Sequence, residues 1–456
     1  MLTLKSKIAV LGLGVEGKDT INYLQKKGIN DITVFDKKTK SDLDLSGINT
    51  SDLKFITGAD YLKTGLTVYK TIFRSPGVYR FLPEIITAEK SGSVITSNIK
   101  LFFEKFNGVS IGVTGTKGKG TTCTLIYEML KKSGKNVYLT GNIGSPPLSV
   151  LDEVGESSVV VLELSSFQLI DLQKSPDIAV VLNVTSDHMD WHKNQKEYVG
   201  AKKNIVKHQD EDDFKVINFD YKTSKDFADL SPSKNYFFSK NEKVVGGYVE
   251  NGVIYLKIEG KLSKIGNTKD LLLRGKHNWE NVCAAACTSY LAGADLKSIE
   301  KTVFSFKGLE HRLELVGEVD GVKYYNDSFS TNPQTTIAAV DSFFEPTTLI
   351  IGGYDKGLDF NQMAKHLSKT KNLKNILLIG DLEDKLYELL KKYKSENLII
   401  RMGKPGMSQI LEKCKEVTKK GGVVLLSPAC ASFDMFENYK ERGNQFKKCV
   451  MNLIGS

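Results

Sequence analysis

Short, continuous apolar runs that empty into glycine-rich or polar turns recur along this chain. They include Ile8-Ala-Val-Leu11, Val109-Ser-Ile-Gly-Val113, Val159-Val-Val-Leu162, Ile178-Ala-Val-Val-Leu182, Leu349-Ile-Ile351, Ile376-Leu-Leu-Ile379 and Val423-Val-Leu-Leu426. A strand exposed on one face would alternate apolar with polar residues. These runs do not, so they read as strands covered on both faces, as in a parallel sheet. Helix-patterned segments lie between them, and the alternation predicts an α/β architecture. Residues 210–272 differ. Phe214 to Phe219, Asn235 to Phe238 and Gly247 to Ile258 are shorter strand patterns, and Glu250-Asn-Gly-Val253 marks a hairpin turn. The pattern divides into three domains, at about 1–103, 104–308 and 309–456.

Two of the turns carry phosphate-binding patterns. In the first, Gly12-Leu-Gly14-Val15-Glu16-Gly17 follows a strand and opens a helix, and Asp36 ends the next strand. This Rossmann-like fingerprint sets a diphosphate on a helix N-terminus, where unpaired backbone N–H groups and the helix dipole favour an anion. The carboxylate then lies beside a ribose or a nearby loop. Ser75-Pro76-Gly77 ends another strand of the same domain. The fingerprint suits NAD or the diphosphate of another nucleotide.

The second pattern, Thr114-Gly115-Thr116-Lys117-Gly118-Lys119-Gly120-Thr121-Thr122, is a P-loop ATPase-like turn between a strand and a helix. Its glycines let the backbone approach phosphate oxygens, and Lys119 reaches the terminal phosphates. Val113 stands where the usual pattern has its first glycine, and Gly120 where a hydroxyl residue follows the lysine. Thr121 is then the hydroxyl for Mg²⁺. Glu163 ends a buried strand, where a carboxylate is costly unless it is paired or metal-bound. It is placed to hold the same ion. His188 or Asp190, after another strand, reaches the same sheet edge. His277-Asn278 reads either as a helix cap or as a nucleotide contact. The third domain is a further, mainly parallel α/β unit, Rossmann-like in pattern.

Composition narrows the classes. The 456 residues are 41% hydrophobic and 26% charged, as in soluble globular proteins. No apolar run approaches membrane-span length and no signal-peptide core is evident, so a cytoplasmic protein is expected. The six cysteines form no CxxC pair and read as reduced. The net charge of +9 is spread through the chain, without the basic and aromatic interleaving of a nucleic-acid groove, and suits anionic small substrates.

Taken together, Thr114–Thr122, Gly141-Asn-Ile-Gly144, Glu163-Leu-Ser-Ser-Phe-Gln168, Asn183-Val-Thr-Ser-Asp-His-Met-Asp190, His277-Asn278, His311-Arg312 and Asn326-Asp-Ser328 resemble the motifs of the Mur ligases. These are ATP-dependent enzymes that form amide bonds in peptidoglycan synthesis, and the resemblance covers essentially the whole chain. Leu426-Ser-Pro-Ala-Cys-Ala-Ser-Phe-Asp-Met-Phe436, Tyr439 and Arg442-Gly443-Asn444 look most like the members that add glutamate to UDP-N-acetylmuramoyl-L-alanine.

The resemblance implies roles. Gly115, Thr116, Lys117, Gly118, Lys119, Gly120 and Thr121 would hold ATP phosphates, and Asn278, Arg312 and Asp327 would face the nucleotide. Gly14, Val15, Glu16, Gly17, Asp36, Ser75, Pro76 and Gly77 would hold the UDP-sugar, with Asn142 and His188 flanking its reacting carboxylate. Thr121, Glu163, His188 and Lys202 would hold two Mg²⁺ ions, with Lys202 carbamylated. Thr331, Lys356, Ser432, Phe433 and Tyr439 would surround the incoming glutamate. Lys119, His188, Lys202 and Asn142 would thus serve the chemistry, in a monomer without nucleic-acid or membrane partners.

Three positions depart from the family: Gly120, Phe329 in place of a frequent lysine, and Lys100 in place of a usual glutamate. Phe329 leaves D- and L-glutamate both open as substrates. Competing readings are another amide ligase of folylpolyglutamate type, an NAD-dependent oxidoreductase that would leave the P-loop idle, and a nucleotide sensor that would not need Glu163, His188 and Lys202 together.

Overall fold

Three sheets follow from the apolar runs. A computed structural model describes residues 7–63 and 65–455. The first sheet is parallel throughout, in the order Leu53–Thr57, Ile32–Asp36, Ile8–Leu11, Thr71–Arg74, Val94–Thr96. Strand order reverses beside Ile8–Leu11, which sets the glycine fingerprint at the switch point where doubly wound sheets bind ligands. Gly17 packs there against the Gly12 carbonyl, leaving no room for a Cβ.

The central sheet runs Val137–Gly141, Val159–Glu163, Val109–Thr114, Ile178–Val181, Phe214–Asn218, Lys234–Ser239 and Gly246–Glu250, all parallel. Two antiparallel strands, Val253–Ile258 and Lys261–Asn267, extend it. The expected hairpin turn is present, with Asn251 and Gly252 both left-handed (φ 48° and 73°) between paired Glu250 and Val253. The third sheet runs Glu314–Val319, Val322–Asn326, Val423–Leu426, Thr347–Gly352, Leu373–Ile379, Leu398–Arg401, and only its first pairing is antiparallel. The edge strands Leu53–Thr57 and Leu398–Arg401 lie outside the sequence reading. They are short and carry exposed or half-buried positions, so the continuous apolar signal is missing.

The chain folds into two compact units. One comprises residues 1–268 and 280–303, and the other 269–279 and 304–456. All six cysteines are free thiols, five of them buried, and Cys283 and Cys287 belong to helix packing. Among the described residues, no helix is long and apolar enough to cross a membrane.

Within the first unit, a cluster of buried charges joins the first sheet's loops to the segment after Glu163. Arg74, Arg80 and Lys100 all reach the Asp171 carboxylate, at 3.3, 2.9 and 3.1 Å. Arg74 also donates to the carbonyls of Val78 and Phe167, each at 2.9 Å. The departure at Lys100 therefore has a partner in this chain. Burial alone would raise the Asp171 carboxyl, but Arg74 and Lys100 outweigh it and hold it below the usual aspartate range. This contribution to stability is present above the unfolded aspartate value of about 3.9 and is lost as pH falls through the folded one. Because removing one partner of a buried pair strands the others, Asp171→Asn is expected to lower the calorimetric unfolding midpoint by about 5–10 °C. An unchanged midpoint would show that the three cations are held by their other contacts.

Candidate active site

The P-loop connects the strand Val109–Thr114 to the helix Lys119–Lys132 at the C-terminal edge of the central sheet. Gly118 caps that helix in a left-handed conformation (φ 87°) with its Cα against the Asn281 side chain, so a Cβ has neither the space nor the backbone angle. The loop is braced from the next strand. The Thr116 N–H donates to the Asn183 carbonyl at 2.7 Å, and the Lys117 N–H to Asn183 Oδ1 at 3.3 Å. Thr116 Oγ1 accepts from the Thr185 N–H at 2.9 Å and lies 3.0 Å from the Tyr198 hydroxyl. Gly120 and Thr121 occupy the helix's first turn after Lys119, with Thr121 half-buried.

Two amines meet at this loop. Lys119 Nζ donates to the carbonyls of Gly115 and Thr116, at 3.0 and 3.2 Å. Lys202 Nζ donates to the same Gly115 carbonyl at 2.9 Å and to Thr114 Oγ1 at 3.2 Å. Lys202 is 1% exposed. Burial first, then the Lys119 charge, push its ammonium well below the ordinary lysine range, and Asp187 and Glu163 offset this only in part. Burial of an amine in this way disfavours its charged form.

Lys202 sits on the helix Gln195–Lys207, which Asn194 caps by accepting from the Glu197 N–H at 3.0 Å. Glu197, His192 and Ser166 then form a chain that the sequence reading did not contain. His192 Nδ1 is 3.2 Å from Glu197 Oε1, and its Nε2 is 2.9 Å from Ser166 Oγ. The Tyr79 hydroxyl donates to the other Glu197 oxygen at 2.7 Å. Burial lowers the His192 pKa, against the pull of Glu197. The one sequence signal for this chain was the Asp190-Trp-His192 run beside the predicted ligands.

Glu163 is buried at the end of its strand, and its carbonyl accepts from the Asn142 N–H at 3.1 Å. Asn142 itself is exposed. His188 is left-handed (φ 54°) and half-exposed, with its ring 4.8 Å from Phe167; Asp190 is exposed. Among the described residues, no three His, Cys, Asp or Glu side chains gather as a metal cage. Mg²⁺ at a nucleotide takes one or two carboxylates and completes its shell with phosphate oxygens and water. Glu163, within electrostatic reach of Lys202, and Thr121 on the loop helix fit such a shell.

At the first sheet, Gly14 caps the helix Val15–Lys26, and Gly14 and Val15 are exposed. Glu16 turns away from the loop. Its Oε1 accepts from Gln168 Nε2 at 2.5 Å, and its other oxygen is buried without a hydrogen-bond partner. Desolvation raises this carboxyl to about 7, against the Gln168 bond and the Arg74 charge. Asp36 braces the loop from below, accepting from the N–H groups of Leu13 at 2.8 Å and Lys38 at 2.9 Å. Ser75 Oγ donates to the Gly12 carbonyl at 2.7 Å, and Pro76 and Gly77 stand at the same rim.

In the second unit, three loops converge at the C-terminal edge of the third sheet. The Asp327 N–H donates to the Leu426 carbonyl, Ala429 N–H to Ser330, and Tyr354 N–H to Ala431, at 2.8, 3.0 and 3.0 Å. This gathers Asp327, half-buried Thr331, buried Ser432, exposed Phe433 and, along the third loop, Lys356, whose Nζ lies 5.2 Å from the Phe433 ring. Arg442, also buried, ties two of the loops together. It donates to Ser328 O and Ser328 Oγ, each at 2.9 Å, and to the Cys430 carbonyl at 3.3 Å. Tyr439 starts the same helix. Asp327 accepts from the Leu313 N–H at 3.1 Å and Ser427 Oγ at 2.7 Å, and burial pushes its carboxyl up to about 6. Asn278 Nδ2 donates to the Arg274 carbonyl at 2.5 Å, beside the start of the helix His277–Leu291.

Comparison with known proteins assigns these loops to one lineage. Residues 6–97 match the Mur ligase MurD-like N-terminal domain, 113–289 the Mur ligase middle domain, and 311–430 the Mur ligase glutamate ligase domain. A UDP-N-acetylmuramoylalanine--D-glutamate ligase of Acetivibrio thermocellus is 38% identical over 98% of this chain and 96% of its own length. One from Clostridium tetani is 38% identical over 98% and 97%. Among solved structures, MurF ligase from Thermotoga maritima in complex with ADP shares the fold at a TM-score of 0.56 and 20% identity, over 97% of this chain and 95% of that one. With that identity extending over nearly the full length of both curated relatives, the chain belongs to the Mur ligase family.

Proposed function

We propose that this protein is an ATP-dependent ligase that joins the amine of D-glutamate to the alanine carboxylate of UDP-N-acetylmuramoyl-L-alanine, in the cytoplasmic synthesis of peptidoglycan precursors. The observation that carries this reading is the pair of lysines drawn to one carbonyl of a glycine-rich loop. A phosphate-binding loop alone would suit many proteins; a second, buried lysine with a lowered pKa, within electrostatic reach of Glu163, suits phosphoryl transfer to a carboxylate. The names of the full-length relatives favour D- over L-glutamate. In this reading residues 1–103 take the UDP moiety, 104–308 take ATP, and 309–456 take the amino acid at Thr331, Lys356, Ser432, Phe433 and Tyr439. The protein acts as a monomer.

An oxygen of the alanine carboxylate attacks the γ-phosphorus of ATP. The bond to the β–γ bridging oxygen breaks, and ADP leaves with its electron pair. The glutamate amine then attacks the carbon of the acyl phosphate, loses a proton, and phosphate leaves. The N-terminus of the helix Lys119–Lys132 and the Lys119 ammonium face the charge that grows on the phosphoryl oxygens. Asn142 and His188 orient the reacting carboxylate, while Asn278, Arg312 and Asp327 contact the nucleotide. Thr121, Glu163, His188 and Lys202 would hold two Mg²⁺ ions, which when bound neutralise phosphate charge. Lys202 serves as a carbamate: burial favours the uncharged form of its amine, which adds to carbon dioxide with loss of a proton and gains the negative charge that a cation site needs.

The deciding assay is phosphate release from ATP with UDP-N-acetylmuramoyl-L-alanine and D-glutamate, L-glutamate, L-lysine or no amino acid. Release with D-glutamate alone is expected. Preference for L-glutamate would overturn the stereochemistry, and release with none of them would overturn the ligase reading. Lys202→Ala is expected to lower kcat by about 100- to 1,000-fold, as for loss of one electrostatic contact to the transition state. Carbon-13-labelled bicarbonate should give a carbamate signal in the wild type at neutral pH that is absent from Lys202→Ala and fades on acidification, as the amine protonates. A wild type without that signal would refute the carbamate.

A further inference from the structure

Phe329 is a large apolar side chain left 39% exposed beside a loop of polar residues. Its ring is not idle. The Arg312 guanidinium lies over it, 3.9 Å from the centroid, well inside cation–π range. Tyr439 meets the same ring edge-on at 5.1 Å, and His311 lies 6.1 Å from Tyr439.

The backbone on both sides of this contact is held in place. His311 and Leu313, which flank Arg312, are both left-handed (φ 62° and 45°), a costly state for side chains of this size and one that persists only when neighbours enforce it. The enforcing contacts are present. The His311 N–H donates to Glu314 Oε2 at 2.9 Å, and the Leu313 N–H to Asp327 Oδ1 at 3.1 Å. The Phe329 N–H donates to the His311 carbonyl at 3.0 Å, which ties the two segments directly. On the far side, Ser328 Oγ donates to the Tyr439 carbonyl at 2.8 Å, and Arg442 grips Ser328. Ring and guanidinium are thus presented to each other by two fixed loops.

We propose that Phe329 is a positioning residue for ATP: its ring holds the Arg312 guanidinium in the orientation that meets the nucleotide, so it acts on nucleotide affinity through Arg312 and not by touching glutamate. This rests on the reading of Arg312 as a nucleotide contact. A lysine at this place would remove the ring and set a second cation against the guanidinium. The aromatic residue at 329 and the arginine at 312 therefore work as a pair in this chain.

The test is steady-state kinetics on Phe329→Leu, Phe329→Lys, Phe329→Tyr, Arg312→Ala and the Arg312→Ala/Phe329→Leu double variant, with KM measured separately for ATP, glutamate and the UDP-sugar. Phe329→Leu is expected to raise the KM for ATP about 5- to 20-fold, with kcat and the other two KM values within about 2-fold. Phe329→Lys should raise it further, and Phe329→Tyr should keep the wild-type value. In the double variant the Phe329→Leu effect should vanish, because the guanidinium it served is gone. An Arg312→Ala variant with unchanged KM for ATP would refute the nucleotide role of Arg312, and this proposal with it. A large Arg312→Ala effect beside a silent Phe329→Leu would refute the pairing alone. So would a Phe329→Leu effect confined to glutamate, or one that persists in full without Arg312.

Discussion

Two lysine amines share one carbonyl oxygen at the heart of the first unit, and much of the local structure exists to make that tolerable. Like charges at such separation repel, and the repulsion is strongest where water is excluded. Burial and the Lys119 charge lower the Lys202 pKa, while Lys119 starts a helix whose dipole adds further positive potential. The result is a site that attracts dense negative charge before any ligand arrives. Dense negative charge of this kind is what the phosphates of a nucleotide carry.

Holding Lys202 there requires its helix to be fixed against the loop from several sides. Asn194 starts the helix, Tyr198 reaches Thr116 in the loop, and Glu197 is bound to Tyr79 and His192. The first sheet contributes through Tyr79 and through Arg74, whose partner Asp171 follows the Glu163 strand. The loops of the first sheet and the glycine-rich loop before Lys119 are thereby referenced to one another within a single unit. The loops of the third sheet are referenced separately, through Arg442 and Asp327.

The sequence was most readable where one residue type had to satisfy a local rule. The glycines of both loops, the buried strand ending in Glu163 and the Asn251-Gly252 hairpin are of this kind, because backbone angle and burial leave few alternatives. It was least readable where the partner is distant in the chain. Glu16 looked like a loop residue but finds Gln168, 152 positions away, and Tyr79 finds Glu197 across 118. The edge strands Leu53–Thr57 and Leu398–Arg401 were silent because an edge needs apolar residues on fewer faces. Phe329 stood out as a departure, but only side-chain geometry revealed that it faces Arg312.

The chain Ser166–His192–Glu197 has the order and spacing of a hydrolase's nucleophile, base and orienting acid. Here Ser166 is 2% exposed and begins a short helix capped by Ser165. No carbonyl carbon can approach it, so the same three groups serve as a rigid bracket. What separates an acyl-transfer triad from this bracket is an open face on the serine, and enzymes of the two kinds are therefore distinguished by access to solvent and not by the relay itself.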